Sequence, residues 1–206
     1  MKLHFDIKLF SYLFFCFILF TVIGTLSHEL GHKFAGTIVG IKSYVNYCST
    51  CIISVSQEVN KSAVFIFTLG GPLQTMFTGF VGFLLIYFRR VQFWQTDRLS
   101  AWQWFLVFVA LFWLRQAFNF AIELIDYFNT GSVISNADEV KIAEYLSLPN
   151  LSLSFVSALI AILGLTHIFF TFIPTKQKFT FVISGLFGGL FGFYLWFTLL
   201  GPVLMP

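Results

Sequence analysis

Long apolar stretches separated by short polar segments run along most of this chain. Five of these stretches approach the roughly 20 residues that a helix needs to cross a bilayer core. They cover about residues 9–32, 62–88, 100–125, 151–173 and 179–200, and the first helix would continue to about Val39. We therefore predict an all-α polytopic membrane protein with about five transmembrane helices, folded as a single domain over residues 1–206.

The two longest polar connections predict two further elements. Residues 43–59, SYVNYCSTCIISVSQEV, are rich in β-branched residues and partly alternate, which indicates a short β-hairpin between the first two spans. Residues 126–150 begin with turn-forming residues. Ser135 or Asn136 would then cap a short amphipathic helix at about 137–146, between the third and fourth spans, which ends before Pro149.

Composition supports the membrane assignment and limits the classes of binding partner. Hydrophobic residues make up 58% of the chain and charged residues 10%, which is less than half of the roughly 25% found in soluble domains. The net charge of +3 is spread out without a dense basic patch, so we expect no nucleic acid partner. The first apolar stretch is too long for a signal-peptide core and lacks an A-x-A-like cleavage site, so we expect it to be retained.

Basic residues flank the predicted spans unequally. Seven lie on one side and four on the other: Lys2, Lys8, Arg89, Arg90, Arg98, Lys176 and Lys178 against Lys33, Lys42, Lys61 and Lys141. The larger set is expected in the cytoplasm. The difference is small and leaves the orientation of the protein open.

The sequence His28-Glu29-Leu30-Gly31-His32 lies near the end of the first span. Residues four apart share one helix face, so His28 and His32 can offer two ring nitrogens to one metal ion. Glu29 lies one step round the helix, where it would act as general base towards an attacking water. This pattern is typical of zinc hydrolases, and we expect one Zn²⁺ per chain. The alternative is an interfacial cluster that merely ends a helix among lipid headgroups.

A catalytic zinc site requires a third protein ligand. His4 lies at the wrong end of the first span, and His167 lies well inside the fourth. A carboxylate between residues 123 and 139 is a better match, with four candidates: Glu123, Asp126, Asp138 and Glu139. We favour Asp138, because it begins a helix after a turn-rich approach, although an acidic residue there also suits the helix dipole. Glu123 and Asp126 are the main alternatives.

Three segments together resemble the site-2 proteases, the zinc metalloproteases that cut within the membrane. They are HELGH at the end of an apolar helix, LGGPLQTM at residues 69–76, and NTGSVISNADEVKIAEYLSLP before the fourth span. The last looks like a compact form of the family's aspartate region, which favours Asp138, although Asn136-Ala137-Asp138-Glu139 replaces the familiar Leu-Asp-Gly. No PDZ-like segment is visible in the sequence. The resemblance covers roughly residues 9–149.

The resemblance implies a zinc-dependent endopeptidase that cuts a membrane-spanning protein or peptide in or near its transmembrane segment. The protein would lie in the lipid bilayer of a bacterial cytoplasmic membrane, and further subunits are not identified by the sequence. The 43–59 hairpin resembles the β-element beside the family's active site, where an extended substrate could add as a strand.

Three further residues are candidates for contact with substrate. Gly70 and Gly71, with Pro72, would break or loosen the second helix and let a substrate backbone approach, or they would simply allow close helix packing. Asn119, one turn after Arg115, could donate to a substrate carbonyl or oxyanion, or it could join two helices by a hydrogen bond.

Other functions fit parts of the same pattern. A membrane-anchored metalloprotease that cuts outside the bilayer would use a glutamate ligand, which would make Glu123 more important. A catalytically inactive relative would act as a membrane scaffold or a subunit of a complex.

Cys48 and Cys51 would pair across the hairpin turn outside the cytoplasm, or remain thiols in a reducing compartment.

Overall fold

The structure is a computed structural model that describes residues 4–53, 60–133 and 137–206. Within these residues, five helices are long and apolar enough to cross a membrane. The first two are α1 (Ile7–Ile38) and α2 (Lys61–Phe88), and a short helix, α3 (Arg90–Trp94), follows them. The chain therefore has the helices of an integral membrane protein, as its hydropathy predicts.

The third span is composite. It consists of α4 (Ala101–Ala110), a 3-10 turn at Leu111–Trp113 and α5 (Leu114–Thr130). The short helix α6 (Asp138–Tyr145) follows, close to the predicted range of 137–146. The predicted capping residues Ser135 and Asn136 lie outside the described residues.

The last two spans complete the bundle. They are α7 (Ser152–Thr171) and a fifth span made of α8 (Thr175–Tyr194), a π-helical segment at Leu195–Leu200, and α9 (Gly201–Leu204). α1 lies between α2 and the fifth span and packs extensively against both. The outer faces of the spans expose large apolar side chains such as Phe15, Phe34 and Phe77, as expected for surfaces that contact lipid tails.

A close crossing of α1 and α2 fixes the geometry on which the site depends. Gly31 and Gly70 face each other there, and a Cβ atom on either residue would collide with the other helix's backbone. Small residues allow membrane helices to approach in this way. α2 continues through Gly70, Gly71 and Pro72 without a break, because neighbouring helices can compensate for the hydrogen bond that proline removes.

The 3-10 turn in the third span places Trp113 in the centre of the bundle. Its indole contacts the space beside Gly79 of α2 and Gly164 of α7, and neither position has room for a Cβ atom. The Trp113 Nε1–H donates to the Met76 carbonyl at 2.9 Å. The interruption thus lets one aromatic ring join three spans.

The predicted hairpin is present in shorter form. Strands β1 (Ser43–Val45) and β2 (Thr50–Ile52) are antiparallel, and Tyr44 lies opposite Cys51. The rest of the predicted range, residues 54–59, lies outside the described residues. Cys48 and Cys51 are unpaired thiols.

The end of the fifth span holds the hairpin turn. The Trp196 Nε1–H donates to the Tyr47 carbonyl at 2.8 Å, and the Tyr47 N–H donates to the Met205 carbonyl at 3.0 Å. The hairpin is therefore attached to the bundle at its turn as well as at its strands.

Candidate metal centre

His28 and His32 lie one turn apart in the final third of α1 and are both buried. Their Nε2 atoms are 3.1 Å apart. The helical spacing thus brings the two nitrogens together as the sequence predicts, on the side of α1 that faces α2.

Residues of α2 orient both imidazole rings. The Nδ1 of His32 lies 2.9 Å from the Phe67 carbonyl oxygen, and the Nδ1 of His28 lies 2.9 Å from the Thr75 hydroxyl. A carbonyl can only accept, so the His32 Nδ1 carries the proton and its Nε2 has a free lone pair in the neutral ring. An outer partner on Nδ1 is the usual arrangement for histidines that bind metal through Nε2.

Asp138, the first residue of α6, supplies a third donor atom at the same point. Its Oδ2 is 3.1 Å from the Nε2 of His28 and 3.1 Å from the Nε2 of His32. Asp138 thus completes a triangle of donor atoms with the two ring nitrogens.

The other carboxylates proposed as third ligands are placed elsewhere. Within the described residues, none of Glu123, Asp126 and Glu139 lies within hydrogen-bond distance of either imidazole. Glu123 and Glu139 are buried, and their carboxyl oxygens have no partner among the described side chains. His167 lies far along α7, where its Nδ1 is 3.4 Å from the Thr171 hydroxyl.

The space in front of the three donor atoms fits a metal ion. A tetrahedral zinc with bonds of about 2.0–2.2 Å separates its ligands by about 3.3–3.6 Å, so donor atoms 3.1 Å apart need to move only slightly. Gly71 preserves this space, because a Cβ atom there would contact the Nε2 atoms of both His28 and His32. Two imidazoles and a carboxylate are also a donor set that zinc favours.

Glu29 lies beside the donor atoms without joining the triangle that they form. Its side chain is buried, and one of its carboxyl oxygens lies with the ring nitrogens of His28 and His32 in a group no more than 4.8 Å across. The Thr50 hydroxyl lies 3.0 Å from the Glu29 Oε2 and 2.8 Å from the Glu29 backbone carbonyl. Strand β2 therefore holds the carboxylate in position.

Arg115 approaches the same carboxylate from α5. Its Nη2 lies 4.0 Å from the Glu29 Oε1, and its Nε is buried without a partner among the described residues. A cationic side chain within a span is expensive and usually marks function. Sequence reasoning treated Arg115 only as a neighbour of Asn119, although its position in an apolar stretch was a visible signal.

The predicted substrate-contact residues occupy different environments. Gly71 faces the imidazoles, whereas Gly70 faces Gly31 at the helix crossing. Asn119 is half-buried on α5, one turn beyond Arg115, and its side chain forms no hydrogen bond with another described residue. A role for these residues in binding substrate stays a prediction.

Thr50, Thr75 and the Phe67 carbonyl complete the site, and sequence reasoning did not identify them. A threonine in a strand or an apolar helix does not indicate a functional role in the sequence. The role becomes visible only when the structure shows which side chain the threonine contacts.

Comparison with protein-family models, curated proteins and solved structures found no match to this chain.

Proposed function

We propose that this chain is a zinc-dependent intramembrane endopeptidase that hydrolyses a peptide bond in or near a transmembrane segment. One observation carries the proposal: the His28 Nε2, His32 Nε2 and Asp138 Oδ2 lie 3.1 Å from one another, with the Glu29 carboxylate beside them. His28, His32 and Asp138 would hold the ion, with Asp138 as the third ligand. When bound, zinc would polarise the substrate carbonyl and lower the pKa of water towards neutrality.

Glu29 is suited to move the proton that hydrolysis requires. It accepts a proton from the attacking water as the water oxygen bonds to the carbonyl carbon. It then gives a proton to the nitrogen as the C–N bond breaks, so that an acid and an amine leave. The Thr50 hydroxyl supports this role by fixing one carboxyl oxygen, and the Arg115 guanidinium lies 4.0 Å from the other.

The position of the site supports a substrate within the membrane. His28, Glu29 and His32 belong to a helix that is long and apolar enough to span a bilayer. A helical peptide bond is shielded by its own hydrogen bonds, so the substrate must become extended before it is cut. The β1–β2 hairpin lies next to Glu29 and offers a strand with which an extended segment can pair.

The alternative of a glutamate third ligand has less support. Glu123 is buried apart from the imidazoles, whereas Asp138 contacts both. An inactive scaffold would share the metal site, and it differs from the peptidase only in whether Glu29 performs chemistry.

The test compares cells that produce the wild type with cells that produce Glu29→Gln, using mass spectrometry of protein N-termini in isolated membranes. We expect new N-termini in or near transmembrane segments with the wild type alone, while both purified proteins retain about one zinc ion per chain. The same set of N-termini in both samples would contradict the peptidase and favour the scaffold. If neither purified protein retains zinc after zinc has been supplied, the proposed metal site is contradicted.

A further inference from the structure

Arg115 lies beside the proposed base with hydrogen-bonding capacity that no described residue uses. Its Nη2 is 4.0 Å from the Glu29 Oε1, which is longer than the roughly 2.7–3.2 Å of a hydrogen bond. Its Nε is buried without a partner among the described residues. A cationic side chain within a membrane span is costly and is normally paired, so the guanidinium is suited to a partner that arrives during function.

The two oxygens of the Glu29 carboxyl group have different surroundings. Oε2 accepts a hydrogen bond from the Thr50 hydroxyl at 3.0 Å, whereas Oε1 faces the Arg115 guanidinium. Oε1 is therefore the oxygen available to take a proton from the attacking water. A general base lies about 2.6–3.2 Å from the atom whose proton it takes, so the attacked carbonyl group must also come close to Oε1. This position brings the carbonyl oxygen within reach of Arg115.

The guanidinium approaches Glu29 between two helices that are not closely packed. α5 packs mainly against α7 and has few contacts with α1. The Arg115 side chain is 31% exposed, although it lies next to a buried carboxylate. The side chain is thus open to the space beside Glu29 at which the substrate carbonyl must arrive.

We propose that Arg115 is a catalytic residue that stabilises the oxyanion formed when water attacks the substrate carbonyl. This inference rests on the proposed peptidase function. As the water oxygen bonds to the carbonyl carbon, Glu29 gains a proton and becomes neutral, and the negative charge moves to the former carbonyl oxygen. Arg115 donates a hydrogen bond to that oxygen. Because the guanidinium makes no hydrogen bond to Glu29 beforehand, this interaction is stronger in the transition state than in the ground state, as catalysis requires.

The test compares two zinc-binding inhibitors that carry the same leucine side chains. In the first, a phosphinate group replaces the peptide bond, and its tetrahedral, anionic oxygens resemble the oxyanion. The second is a thiol analogue that binds through its sulfur and has no oxygen at that position. Calorimetry gives the affinities of both for the purified, zinc-loaded protein in detergent.

We expect Arg115→Met to bind the phosphinate at least about tenfold more weakly than the wild type, because a hydrogen bond to a charged group is lost. The affinity for the thiol analogue should change much less. Arg115→Lys keeps the charge but lacks the forked donors, so a smaller loss confined to the phosphinate is expected. This variant decides the question if Arg115→Met does not fold. Arg98→Met is the matched control, because Arg98 is exposed and its nearest carboxylate is that of Asp6.

A further variant, Asn119→Leu, tests the other candidate donor to the oxyanion, one turn beyond Arg115 on α5. If Asn119→Leu weakens phosphinate binding and the Arg115 variants do not, Arg115 does not bind the oxyanion. An equal loss of both inhibitors in the Arg115 variants would show a purely structural role and overturn the proposal, while the metal centre stands. If neither inhibitor binds the wild type in a zinc-dependent manner, the proposed function itself is contradicted.

Discussion

The Oδ2 of Asp138 lies 3.1 Å from the Nε2 of His32, although the two residues are 106 positions apart in the chain. One belongs to a membrane-spanning helix and the other to a short helix between spans. Their meeting depends on α6 packing against α2, which itself crosses α1 at Gly31 and Gly70. The candidate metal centre therefore depends on the packing of three helices against one another.

Replacing Asp138 by alanine should remove the metal. With one of three protein donors lost, the zinc content of the purified protein should fall from about one ion per chain towards zero. Glu123→Ala is the control, since it removes a buried carboxylate that lies outside the donor triangle. Elemental analysis after dialysis measures both. If Glu123→Ala loses zinc and Asp138→Ala keeps it, the glutamate-ligand alternative is correct.

A single methyl group at Gly71 should have a similar effect without changing any ligand. The new Cβ atom would occupy the space in front of the His28 and His32 nitrogens. We expect Gly71→Ala to weaken zinc binding by at least about tenfold. Gly189→Ala is a matched control, because a Cβ atom there meets nothing within 4 Å. Competition with a chromogenic chelator gives both affinities, and equal affinities would contradict the placement of the ion beside Gly71.

Thr50→Val should impair catalysis while the metal remains. Valine matches the shape of threonine but cannot donate to the Glu29 Oε2. We expect kcat to fall about tenfold with KM little changed, because the base loses its orientation rather than its chemistry. Thr50→Ser should restore most of the rate. The assay requires a substrate found from the N-terminal comparison, and a serine variant as slow as the valine variant would show that the hydroxyl is unimportant.

Glu139 should make the stability of the protein depend on pH. Burial raises the pKa of the Glu139 carboxyl above its ordinary value of 4.5. Folding therefore favours the protonated form, and this carboxyl group destabilises the protein as the pH rises above 4.5 towards the raised value. Glu139→Gln should raise the melting temperature of the zinc-free protein by about 2–4 °C at pH 8.

The same variant should nearly match the wild type at pH 4, below the ordinary carboxyl pKa of 4.5, where Glu139 is mostly protonated in both the folded and unfolded states. Glu144→Gln, on the exposed face of α6, should change neither melting temperature. Melting can be followed by intrinsic tryptophan fluorescence. An equal effect of Glu139→Gln at the two pH values would show that ionisation of this group is not the cause.

The residues of the site that lie together on one helix could be predicted from the sequence. The residues that reach the site by packing of other elements could not. His28, Glu29 and His32 lie within one helical turn or so, and helix periodicity alone places both imidazoles on one face. The choice of Asp138 over Glu123 depended on a turn-rich approach and a resemblance, because spacing says nothing about which carboxylate packs against α1.

Thr50 and Thr75, which contact Glu29 and His28, were not predicted for a related reason. Their importance comes from the atoms that they meet across a helix or strand contact, and the sequence does not encode that contact in any local pattern. The interruption of the third span at Leu111–Trp113 was not predicted either, because no glycine or proline marks it in the sequence. In the second span, by contrast, Gly70 and Pro72 suggested a break, but packing keeps the helix continuous.

The attachment of the hairpin turn to the fifth span has a mechanical consequence. Tyr47 is held through both its N–H and its carbonyl by residues near the end of that span, and Thr50 follows three positions later. A shift of the π-helical segment along its axis would pull on the turn and move the hydroxyl that orients Glu29. The last span would thus influence the position of the proposed base, although it contributes no atom to the candidate metal centre.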